Sequence, residues 1–309
     1  LHYYVSNLSC DENQQDGTVV NPFCKVQDAI DVSTDNDTIS VAAGIYTENL
    51  YVNKAVNIFG EYIVGSDSTI IDGSDNTLGE FYGSCVTFSM DGMPLRVPGE
   101  PSLTRLILTG GIGTLVEDYS GGVDEIVPMR VGGGVFMYNT NVKINDCKFK
   151  YNGCDECLSI GGAIYHGGSG SKIYVPPSPR GPHDGDYPNE RDRMTGQLDL
   201  SNNWFEGNQA SVAQSIMITD HEGTVSLYQS TLDVVRDGNE ADPADNLVST
   251  YWCEDDGLSD YDFTATIGLN DIIDGDGCSG GDCDTARSGN CKNLGLNLND
   301  CMGRMFGTQ

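Results

Sequence analysis

Four groups of side chains in this sequence could do chemistry. The run Asn270-Asp271-Ile272-Ile273-Asp274-Gly275-Asp276-Gly277 crowds carboxylates around glycines. Such spacing can wrap a hard cation, so Asp271, Asp274 and Asp276 are the candidate ligands, and Ca²⁺ the one cofactor they could hold. A closing Glu at EF-hand spacing is missing, and a plain acidic turn has the same composition. Asp220-His221 follows the apolar Ile216-Met217-Ile218. Carboxylate and imidazole together could serve as general acid and base. Asp146, Asp199 and Asp233 could join them by lining up on successive turns of the chain, because glycoside cleavage needs two carboxylates facing one groove. Arg180, His183, Arg191 and Arg193 form a local basic cluster and are the candidate ligand contacts. Finally, Cys154-Asp155-Glu156-Cys157 is a C-x-x-C. Zinc would need two further ligands, so a disulfide is expected, either local or to Cys147.

Charge narrows the partners. Asp and Glu number 46 against 16 Lys and Arg, a net charge of −30. Nucleic acid and anionic membranes are poor partners, since phosphate binding needs a basic footprint. No stretch approaches the roughly 20 apolar residues that a membrane span requires. Eleven Cys imply several disulfides and an oxidising compartment, and the odd count leaves one thiol free or bonded to another chain. The opening at Leu1 fits a signal peptide already removed. Asn7-Leu8-Ser9 and Asn36-Asp37-Thr38 are N-glycosylation sequons. The expected location is extracellular or at the cell surface. No P-loop, Gly-x-Ser-x-Gly or dinucleotide fingerprint points to another enzyme class.

The elements that must position these groups are short. Gly is abundant at 39 residues and, with Asn and Asp, marks many tight turns. Tyr3-Tyr4-Val5 reads as a strand. Phe23, Val26 and Ile30 fall on one helical face. After the turn at Asp35-Asn36-Asp37, strands are expected at Thr38–Val41, Asn49–Val52 and Ala55–Gly60, then at Thr69–Gly73, Cys85–Phe88 and Leu106–Gly111. An internal repeat follows. Gly132-Gly133-Gly134-Val135-Phe136 matches Gly161-Gly162-Ala163-Ile164-Tyr165, and aligning Ile144 with Leu200 also aligns Phe149 with Phe205 and Asn152 with Asn208. Val225-Ser226-Leu227 begins a weaker third copy. In a solenoid each coil buries its inward side chains against its neighbours, so equivalent positions hold similar shapes, and Asn at a turn can bond backbone or adopt αL. Insertions near 89–102, 112–129 and 169–196 read as projecting loops; the last holds five prolines and the basic cluster. The fold class is therefore all-β, a parallel β-helix solenoid. Its expected parts are an N-terminal cap with a short helix (1–36), coils (37–250), and a last coil with a disulfide-rich cap (251–309).

The segment Asp37-Thr38-Ile39-Ser40-Val41-Ala42-Ala43-Gly44-Ile45-Tyr46-Thr47-Glu48-Asn49 resembles the first coil of the pectin-lyase-like superfamily. The Gly-Gly-Ala-Ile and Phe-x-x-Asn repeats are similar to those of polymorphic outer-membrane adhesins. Together the resemblance covers about residues 1 to 235 and implies a right-handed parallel β-helix. It implies little about activity, because that fold hosts many functions. The Gly-His-Gly of polygalacturonases and the Asp-Phe-Ile-Phe-Gly of pectin methylesterases are missing. The expected function is a non-catalytic extracellular structural or adhesive protein, contacting a glycan or protein neighbours or self-associating into a filament. The alternative is a Ca²⁺-dependent polysaccharide lyase or a glycoside hydrolase.

Overall fold

The computed structural model describes residues 1–61, 68–79, 81–89, 100–118, 127–138, 140–154, 157–167, 173–174, 198–210 and 215–219, with four later strands, Thr224–Tyr228, Leu247–Thr250, Thr264–Ile267 and Asn297–Asn299. From Thr38 onward the chain visits three parallel sheets in rotation. Thr38–Val41, Gly44–Thr47 and Leu50–Val52 make one circuit. Asn57–Gly60 then returns beside Thr38–Val41, with Ile39 opposite Ile58. Later circuits repeat the path, so the first sheet has eight strands, from His2–Val5 to Thr264–Ile267. The second has five, from Gly44–Thr47 to Trp204–Glu206, and the third seven, from Leu50–Val52 to Asn297–Asn299. The chain is thus all-β and β-helix-like, with few helices.

Alternation explains why these residues make these strands. In the first sheet Ile39, Ile58, Leu103, Ile144 and Leu200 share one register and are all buried. Their neighbours along each strand point outward, as a period of two demands, and are polar apart from Phe59. In the second sheet Leu108, Phe149 and Phe205 are buried in register. The Phe149 and Phe205 rings stack 4.8 Å apart and nearly parallel, which is the strand spacing itself. The repeat read from the sequence is therefore a ladder of rungs. The glycines of its Gly-Gly motif permit close approach: a Cβ on Gly133 would lie 2.3 Å from the Gly153 nitrogen and 2.5 Å from the Gly162 oxygen.

Asparagine bonds backbone at its turn, as expected, but does not itself adopt αL there. The αL residue there is Tyr151 (φ 54°) or Gly207 (φ 65°), while Asn152 and Asn208 beside them are buried. Asn152 Nδ2 donates to the Leu108 carbonyl (2.9 Å) and to Asn208 Oδ1 (3.1 Å), and Asn208 Nδ2 donates to the Phe149 carbonyl (3.1 Å). These amides are buried and spend their donors on the strand carbonyls and on each other.

The helix, Val26–Val32, packs on His2–Val5, Thr38–Val41 and Leu50–Val52, burying Val26, Ala29 and Ile30. It covers the end of the interior where no earlier coil lies. Both Glu48 carboxylate oxygens accept from its first amides, Val26 (3.0 Å) and Gln27 (3.1 Å). Lys54 Nζ donates to the carbonyls of Ile30, Asp31 and Ser33 at its other end. Gln27 replaces a missing strand: its Oε1 accepts from the Tyr51 N–H (2.8 Å) and its Nε2 donates to the Tyr51 carbonyl (3.2 Å). The third sheet's edge is thereby closed.

One loop expectation is corrected. Residues 112–129 are largely a β-hairpin: Gly113–Asp118 pairs antiparallel with Val127–Val131. The hairpin buries Val116, Met129 and Val131 against Phe136, Ile160 and Tyr165, a second small core outside the main one. Apolar burial outweighs the cost of ordering the excursion. In the 169–196 segment Ile173–Tyr174 joins this sheet through Gly113–Asp118; 175–197 lie outside the described residues, as do 90–99 of the first insertion.

Disulfides join Cys10 to Cys24 and Cys154 to Cys157. The C-x-x-C is thus a local bridge, and Cys147 is instead a buried free thiol, like Cys85. Cysteines 253 to 301 lie outside the described residues. Among the described residues no helix is long and apolar enough to cross a membrane.

Candidate functional site

The outward positions of the first sheet form two columns. Asn57, Ser102, Lys143 and Asp199 occupy one; Phe59, Thr104, Asn145 and Ser201 occupy the other. Parallel pairing in register sets each rung one strand spacing, about 4.8 Å, from the next. A groove of about 950 Å³ runs over these rungs, with Glu100 and Asn141 also lining it. Asp146 lines it from the turn after Val142–Asn145. It sits at φ 55°, where the next coil has Asn202 at 54° and the preceding coil Arg105 at 58°. Asp and Asn tolerate this αL position better than most residues.

The polar rungs are tied in pairs. Ser102 Oγ donates to Asn57 Oδ1 (2.8 Å), and Ser201 Oγ donates to Asn145 Oδ1 (2.6 Å). Each serine uses its one proton on an amide oxygen, so the amide N–H₂ donors and serine lone pairs are what a ligand would meet. Phe59, 39% exposed, adds a flat apolar face beside them. Hydroxyls, amides and one ring at regular spacing suit a polyhydroxylated chain that is polar at its edges and apolar on its faces.

Charge is concentrated at one rung. Lys143 Nζ lies 2.5 Å from Glu100 Oε2. Its hydrogen bond to Glu100, and then that carboxylate's charge, raise its proton affinity. Asp199, the register neighbour of Lys143, is half-buried, and burial raises its carboxyl above the ordinary range. Glu100 adds to that rise, while Lys143 opposes it.

Most side chains singled out from the sequence lie outside the described residues: Asp220, His221, Arg180, His183, Arg191, Arg193, Asp271, Asp274 and Asp276. Among the described residues no group of three metal-ligating side chains is gathered. Asp146 and Asp199 do not stack as expected. Asp199 pairs in register with Lys143, whereas Asp146 lies in the turn beyond the strand. Their sequence positions belong to different phases of the repeat, which forbids a column of the two. Of the sequon residues, Asn7 donates its Nδ2 to the Ile45 carbonyl (2.6 Å), and Asn36 sits exposed at φ 66°. The groove residues were missed because Ser, Asn and Thr in short strands look like ordinary surface. Their signal was the register: placing Ile144 over Leu200 also places Lys143 over Asp199 and Asn145 over Ser201.

No protein-family model matches the chain, and no curated protein sequence matches it. Among solved structures, the GH136 lacto-N-biosidase of Eubacterium ramulus is similar in its native form at 11% identity and TM-score 0.39, over 76% of this chain. Its selenomethionine derivative gives 12% and 0.38, over 75%. This chain spans about a third of that enzyme's length, 35% and 34% of the two chains. The pectin methylesterase of Aspergillus niger is similar at 14% identity and TM-score 0.30, over 88% of this chain and 87% of that one.

Proposed function

We propose that this chain is a right-handed parallel β-helix, secreted or displayed at a cell surface, that binds an extracellular glycan along its first sheet without cleaving it. One observation carries this reading: the groove whose rungs repeat amides, hydroxyls and an aromatic face at strand spacing. Sugar hydroxyls both donate and accept, and they match side chains that do the same. Two disulfides fit the oxidising environment this requires. The test is a glycan array probed with the chain, followed by product analysis on every glycan retained. Retention without new reducing ends supports the reading; retention of no glycan defeats it.

Glycoside hydrolysis is the second reading, favoured by the Glu100 and Asp199 carboxylates flanking Lys143. A carboxyl with raised proton affinity is what a general acid needs. A lyase is less well served. Its base must lose a proton near neutral pH, whereas Glu100 holds the Lys143 ammonium charged. Turnover that disappears in Asp199→Asn with binding retained would establish hydrolysis in place of simple binding.

A further inference from the structure

Resting on the glycan reading above, we infer that Glu100 sets the charge specificity of the groove: it holds Lys143 against capture of anionic sugars, so the ligand is a glycan without acidic groups. Lys143 is the one cation among the described residues lining the groove. Its ammonium is 2.5 Å from Glu100 Oε2 and is 48% exposed, so it stands at the groove surface but is already paired. Asp146 on the wall and Asp199 on the next rung are carboxylates, and Arg105, in the turn one coil before Asp146, does not line the groove. A uronate or sulfate entering here would have to displace Glu100 from Lys143 while facing two more anions. Like charges that close together are costly, and the net charge of −30 adds repulsion during approach. An uncharged sugar meets no such barrier and needs only the amide and hydroxyl rungs. The groove thus discriminates by repulsion as well as by fit.

Removing the Glu100 charge should release Lys143 for an incoming carboxylate. The experiment titrates xylan, β-glucan, galacturonan, alginate and chitosan oligomers into wild type, Glu100→Gln and the double variant Glu100→Gln/Lys143→Met. Thermal unfolding confirms that all three are folded. Wild type should bind an uncharged oligomer at least tenfold more tightly than galacturonan or alginate. Glu100→Gln should gain tenfold or more for a uronate oligomer relative to the uncharged one, and the double variant should lose that gain. In wild type alone, added salt should narrow the gap between uncharged and uronate ligands. Uronate binding as tight as the uncharged ligand in wild type overturns the inference and spares the glycan reading, as does a Glu100→Gln variant with no gain. Binding of none of the five overturns both.

Discussion

Single residues here work mainly by satisfying buried backbone. Asn152 is 1% exposed; besides its two donated bonds, its Oδ1 accepts from the Gly111 N–H (3.2 Å) and the Cys85 thiol (3.4 Å). Replacing it by Ala leaves the Leu108 carbonyl and the Gly111 N–H without this amide. The expected loss is about 2–4 kcal/mol in urea denaturation, by the cost of stranded buried polar groups. The sequence marked Asn152 and Asn208 as equivalent but not as buried, because a motif records residue type and not which way the turn folds. His166 was invisible in the sequence altogether. It is fully buried, with its Nε2 3.0 Å from the Thr140 carbonyl, and burial pushes its imidazole down to about 4. In the unfolded chain the ring takes its proton near pH 6.5. Between those values the unfolded state binds more protons, so stability must fall as pH drops from 6.5 toward 4. The linked loss is about 3 kcal/mol. Denaturation midpoints at pH 7, 5.5 and 4 should show a shallower fall in His166→Gln than in wild type.

At the scale of elements, inward and outward positions should differ sharply. Phe149 is completely buried against Phe205, whereas Trp204, one residue before Phe205, is 41% exposed. Phe149→Ala should cost about 3–5 kcal/mol as a cavity in the stack. Trp204→Ala should cost less than about 1 kcal/mol, as an outward position. Equal losses in the two variants would contradict the coil phase described above. The end cap offers a second check. Gln27→Ala removes both contacts to Tyr51 and bares the edge of the third sheet. A loss of about 1–2 kcal/mol is expected, with concentration-dependent association visible by light scattering, because an open edge recruits strands. Elements were the most legible level of the sequence. Ile144, Phe149 and Asn152 aligned with their partners because stacked coils demand the same shape at the same phase. The hairpin of Gly113–Asp118 and Val127–Val131 escaped notice, since its apolar residues pack on a face the repeat does not define.

For the whole molecule, the same stacking that fills the interior also builds the exterior. Each coil that sets Ile144 over Leu200 inside sets Asn145 over Ser201 outside. Parallel strands stacked in register therefore yield a regular polar face wherever their outward residues are polar. The sequence revealed the cylinder before the groove, because apolar ladders are distinctive and ladders of Ser, Asn and Thr are not. The glycan reading is tested most directly by calorimetric titration of a retained oligosaccharide into wild type, Asn57→Ala/Asn145→Ala and Trp204→Ala. The account requires at least a tenfold weaker affinity in the groove variant and an unchanged affinity in Trp204→Ala, which alters the second sheet. Undiminished binding by Asn57→Ala/Asn145→Ala would contradict it.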